Sequence, residues 1–141
     1  MDLIRATAFV HIIFSILLVG QALYWMIMVT ALNKRHGAAE ADRLLQAANR
    51  ARWPHVVVPH SMRLPLPWIA WLTLAAIAGT GAISLALRGF SGDLLWWIKL
   101  GLFVAIAIVQ VPLTRRPAAG LIRINFALVI SAIVISGWAV R

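Results

Sequence analysis

The chain has 141 residues, of which 62% are hydrophobic and 12% charged, with a formal net charge of +9 and no cysteine. An ordinary soluble domain carries roughly 45–50% apolar and 25% charged residues, and a fold of this size has too little interior to hide such an excess. The composition excludes a disulfide scaffold, a thiolate metal site and a cysteine nucleophile, and it makes the bilayer the natural solvent of a single membrane domain.

The first apolar run extends from Ile4 to about Leu32, interrupted by Arg5, His11 and Gln21. It is far longer than the roughly 7–15 apolar residues of a signal peptide. Gln21, Tyr24 and Trp25 occupy the zone where a small-residue cleavage site would stand, so a retained span is expected. A basic loop follows over residues 33–63. Within it, Gly37 to Arg52 reads as a short amphipathic helix with Leu44, Leu45 and Ala48 on one side. Glu40 with Arg43, and Gln46 with Arg50, are spaced for pairing on its surface. Such a helix is expected to rest on anionic lipid headgroups or to offer a partner a docking face.

The second span, about 64–87, opens on Pro65 and Pro67, where a missing N–H costs nothing. The third, about 94–111, holds Lys99, and the fourth, about 118–140, has Arg123 near its start. Pro112 and Pro117 are expected to bracket the turn between these two spans, with Arg115 and Arg116 inside it. Trp53, Trp68, Trp71, Trp96, Trp97 and Trp138 fall near span ends, as interfacial aromatics do. Lipid leaves helix as the only conformation for runs of this kind. The fold expected is an all-α integral membrane four-helix bundle over residues 1–141.

Orientation follows from the cations. Lys34, Arg35, Arg43, Arg50, Arg52, Arg63, Arg115, Arg116 and Arg123 flank one side, against Arg5, Arg88 and Arg141 on the other. Both termini are therefore expected on the outer (periplasmic) side of a bacterial inner membrane, with the two basic connections in the cytoplasm. Charges that flank spans, rather than forming a stripe, argue against a nucleic-acid partner.

Ionisable groups at membrane depth are functional candidates. His11 lies about 10 Å into the first span at 1.5 Å per residue, and Lys99 is expected at a similar depth in the parallel third span. His11 suits an axial ligand to haem iron or a proton-transfer group, or it bonds a neighbouring helix. Lys99 suits a counter-charge to a propionate or another carboxylate, or it snorkels toward the headgroups. Gln21 and Gln110 are expected to form interhelical amide bonds. Gly79 and Gly81 with Thr80 and Ser84, and Ser131, Ser136 and Gly137, offer small-residue faces for close helix packing. His55 and His60 lack the i, i+4 spacing of a helical metal pair. With Asp2, Glu40, Asp42 and Asp93 as the only acids, hydrolysis by paired carboxylates is excluded.

The apolar stretch around a histidine, Ala8-Phe9-Val10-His11-Ile12-Ile13-Phe14, followed by Gly20, resembles the opening of several small bacterial membrane families. Among these are the HemJ-type protoporphyrinogen oxidases and the CopD copper-resistance membrane domain. Trp96-Trp97-Ile98-Lys99-Leu100-Gly101-Leu102 resembles their third span, which is rich in Trp and contains Lys. The stretch from Ala51-Arg52-Trp53-Pro54 through Gly79-Thr80-Gly81 is similar to an uncharacterised bacterial family with the same four-span plan. The resemblance implies haem b as cofactor and functional roles for His11 and Lys99, with His11 as the metal ligand. For copper, Met26 and Met28 are the soft donors present, and neither is at the level of His11.

The expected function is a small inner-membrane protein that binds a haem or porphyrin in its outer half, where it has a redox role. His11 and Lys99 are its catalytic and cofactor-binding residues. The alternatives are a non-catalytic subunit or assembly factor of a larger membrane complex, and transport of a small ion or metal by a homo-oligomer, since four helices enclose little pore.

Overall fold

The computed structural model describes residues 2–50, 67–89 and 93–138. They form five helices: α1 (Leu3–His36), α2 (Ala38–Arg50), α3 (Pro67–Arg88), α4 (Leu94–Arg115) and α5 (Ala119–Trp138). Four of these, all but α2, are long and apolar enough to cross a membrane. Their outward faces are apolar: Phe9 is 60% exposed, Ile16 64% and Ile108 64%. Surfaces of that kind on every long helix need lipid around them, and the chain is an all-α multi-pass membrane protein.

Helix ends follow local chemistry. The helix α1 runs four residues past the expected Leu32 and stops where Gly37, at φ 79°, turns the chain in a conformation that favours glycine. The Gly37 N–H donates to the Asn33 carbonyl at 3.0 Å, and α2 starts at the next residue. Gly89, also at φ 79°, ends α3 in the same way. The expected bracketing of the third turn by two prolines needs correction, because Pro112 lies inside α4, which continues to Arg115. Pro117 is what ends this helix: it holds the preceding Arg116 in extended backbone, at φ −143° and ψ 83°.

The helix α1 packs against α3 and α5, and α4 packs against α5, whereas α3 and α4 touch only sparingly. A central layer takes one buried side chain from each span: Ala22, Leu74, Ile106 and Val129. A second cluster lies nearer the α2 end and joins Val29, Leu32, Leu113, Ala119 and Ile122 to Ala41 and Leu45 of α2. Among the described residues, every fully buried apolar side chain belongs to the central layer or lies on its α2 side. Toward the opposite end the buried residues are Thr7 and Thr80. The apolar core lies toward the α2 end, and the fully buried side chains at the other end are polar.

One expectation changes here. The apolar face of α2 does not rest on headgroups: Ala41 is 0% exposed and Leu45 1%, both buried against the bundle. The Asp42 carboxylate also accepts the Ala119 N–H at 2.8 Å, a cross-element cap on one of the orphan donors that begin α5. Asp42→Ala is expected to lower stability by about 1 kcal/mol, read as a lower thermal midpoint in detergent, with Asp42→Asn retaining part of it. On the α2 surface, Glu40 and Arg43 pair at 3.7 Å while largely solvated, which contributes little. The pairing of Gln46 with Arg50, and Ala48 on the apolar side, involve side chains outside those described.

Among the described residues, the glycines and serines of these faces, unlike Thr80, do not mediate close packing within the chain. A Cβ added at Gly79, Gly81 or Gly137 would meet nothing within 4 Å, and Ser131 and Ser136 are exposed. Nor do Gln21 and Gln110 form interhelical amide bonds among the described residues. Polar contacts between spans come instead from His11 with Thr80 and from the Trp71 indole N–H, which donates to the Thr114 hydroxyl at 3.1 Å. Asn125, between Ile122 and Val129 on the inward face of α5, is 8% exposed and its Oδ1 has no partner. An orphan acceptor in an apolar bundle carries a desolvation cost that a leucine would remove. Asn125→Leu is expected to raise the thermal midpoint, and a lower midpoint would count against this assignment.

Candidate functional site

The site lies at the polar end of the bundle. His11 is two turns into α1 and Thr80 two turns from the end of α3, so antiparallel packing of these helices brings them to one level. The His11 Nδ1 and Thr80 Oγ1 atoms are 2.7 Å apart. Thr80 is buried, and its hydroxyl donates to the Ala76 carbonyl at 2.8 Å and toward that of Ile77 at 3.1 Å. A hydroxyl has a single proton. When that proton goes to α3, Thr80 accepts from His11 and the imidazole is the Nδ1–H tautomer. Its Nε2 then carries the lone pair.

A polar stripe supports the histidine along α1. Thr7, His11 and Ser15 recur at the spacing of one helix face. The Thr7 hydroxyl donates to the Leu3 carbonyl and that of Ser15 to the His11 carbonyl, each at 2.8 Å. These local bonds satisfy the two hydroxyls without engaging the ring. Lys99 is one to two turns into α4 and partly buried. Trp96 and Trp97, at the start of the same helix, meet edge to face with centroids 5.2 Å apart. Thus α1, α3 and α4 each contribute a polar group near one level.

Other candidates fall elsewhere. Among the described residues, no group of three His, Cys, Asp or Glu side chains converges as metal ligands would. His36 is exposed at the far end of α1. Met28 packs beside the α2-end cluster, and Met26 is one turn short of Thr30, whose hydroxyl it accepts through its carbonyl. Both methionines are thus several turns from His11. His55, His60 and Trp53 lie outside the described residues. Trp71 is exposed toward the α2 end of α3, while Trp25 packs against the α2-end cluster. Sequence reasoning assigned Thr80 to helix packing and overlooked Thr7 and Ser15. The spacing of Thr7, His11 and Ser15 was the available signal for the stripe, whereas nothing in the sequence pairs position 11 with position 80. No known family model, curated protein or solved structure matches the chain.

Proposed function

We propose that the protein binds a haem b or related porphyrin at the His11 end of the bundle, with His11 Nε2 as axial ligand. The observation that carries this reading is the Thr80 contact at 2.7 Å, which orients the ring and supports the Nδ1–H tautomer that leaves Nε2 for a metal. The donor set fits the group. A lone imidazole is a poor site for a bare ion, but it suits a metal whose equatorial positions a macrocycle already fills. The buried side chains on this side of the central layer are the polar Thr7 and Thr80, and Lys99 supplies a cation for a propionate. The bound group would supply one-electron chemistry. The chain's own residues orient it, balance its charge and, at His11, hold a ligand or a proton. The excess of cations at the α2 end supports an arrangement with that end in the cytoplasm of a bacterium and both termini outside.

The test is a haemin titration of the detergent-purified protein. The expected result is a saturable Soret shift that excess free imidazole competes away. A titration indistinguishable from haemin added to empty micelles would overturn the reading. A second reading, a non-catalytic subunit of a larger membrane complex, is favoured by Ala75, Gly79, Ala82 and Ala86. These recur along the exposed face of α3 at a spacing that lets another helix approach closely. It predicts a colourless protein that co-purifies with partners.

A further inference from the structure

The α2 end of the molecule carries the strongest charge, and the site described above makes no use of it. Lys34, Arg35, Arg43, Arg115, Arg116 and Arg123 are all exposed there. The carboxylates that face them are already engaged: Asp42 accepts the Ala119 N–H, and Glu40 pairs with Arg43. Beside the last turn of α4 is an open hollow of about 400 Å³ lined by Val111, Pro112, Arg115 and Arg116. Val111, Pro112 and Arg115 belong to the last turns of α4 and Arg116 follows it in extended backbone, so the apolar pair lies toward the span and the two arginines at its end.

The geometry points to a binding site for one anionic phospholipid at this hollow. Its phosphate would sit between Arg115 and Arg116, with the upper part of one acyl chain along Val111 and Pro112. Three features converge. The cations stand at the end of a membrane-spanning helix, where headgroups lie. Val111 is 42% exposed, so its side chain offers an apolar wall one turn below them. A guanidinium has five donors in a planar fork that matches a phosphate, which leaves Arg115 able to keep the contact it already makes within the chain. This inference is independent of the porphyrin reading, because the two sites lie at opposite ends of α4.

The experiment uses the full-length protein, delipidated in detergent. Its thermal midpoint is followed as phosphatidylglycerol, phosphatidylcholine or inorganic phosphate is added. Phosphatidylglycerol is expected to raise the midpoint saturably, while the other two have no comparable effect. The double variant R115Q/R116Q is expected to need roughly thirty-fold more phosphatidylglycerol for the same rise, whereas K34Q/R35Q responds like the parent chain. An equal rise with phosphatidylcholine, or an equal loss in both double variants, would overturn the site in favour of diffuse attraction. Reproduction of the rise by inorganic phosphate alone would replace the lipid with a free anion. Should R115Q/R116Q fail to fold, native mass spectrometry of the parent chain decides. Preferential retention of one phosphatidylglycerol over phosphatidylcholine supports the site, and no preference overturns it.

Discussion

His11→Ala is expected to abolish the Soret shift of the haemin titration while the helical circular dichroism stays unchanged. The reason lies in the donor inventory at the polar end of the bundle. His11 is the one described imidazole at this level; Thr7, Ser15 and Thr80 there are hydroxyls engaged with backbone carbonyls, and Lys99 is a cation. Thr80→Val tests the same geometry from the other partner. It keeps the shape of the side chain but removes the acceptor at 2.7 Å that holds His11 Nδ1–H. Loss of an outer-shell partner of this kind typically costs 10–100-fold in metal affinity, so haemin affinity is expected to fall by about that factor with the spectral form retained. A Thr80→Val protein that binds as tightly as the parent would show that the ring is not oriented through Nδ1. A Soret shift that survives His11→Ala would remove His11 as ligand.

The second large effect concerns α2. Leu45 is 1% exposed and packs with Val29, Leu32, Leu113 and Ile122. Leu45→Ala leaves a cavity where α2 meets the spans, and buried truncations of this type cost about 2–5 kcal/mol. The expected result is a markedly lower thermal midpoint and faster tryptic cleavage at Arg43, which is exposed on the outer face of α2. If α2 rested on lipid instead, the substitution would leave the midpoint nearly unchanged and would alter only membrane partitioning. The two outcomes separate an integral part of the bundle from a peripheral one.

How much of this was legible in the sequence depends on the range of the interaction. The four spans were legible because each is a long apolar run whose backbone must satisfy itself within the bilayer. The helical character of α2 was legible for the same local reason, from the spacing of Leu44 and Leu45 against Glu40 and Arg43. What covers its apolar face was not. Burial of Leu45 depends on Leu113 and Ile122, far along the chain, and an amphipathic pattern is the same whether it faces lipid or protein. The end of α4 was misplaced because two prolines competed for one role. The first lies inside the helix, which continues past it to Arg115 despite the backbone donor it lacks, and the second acts on the residue before it. His11 and Lys99 stood out as ionisable groups within apolar runs. Thr80 did not stand out, because a threonine in a span is ordinary until a partner on another helix gives it a function.

The most direct measurement is the absorption spectrum of the protein purified from cells supplied with haem, recorded oxidised and then reduced with dithionite. The account predicts a Soret band that shifts on reduction, sharpened α and β bands, and loss of all three in His11→Ala. A spectrum of tryptophan alone, from protein that also fails to take up added haemin, would contradict it.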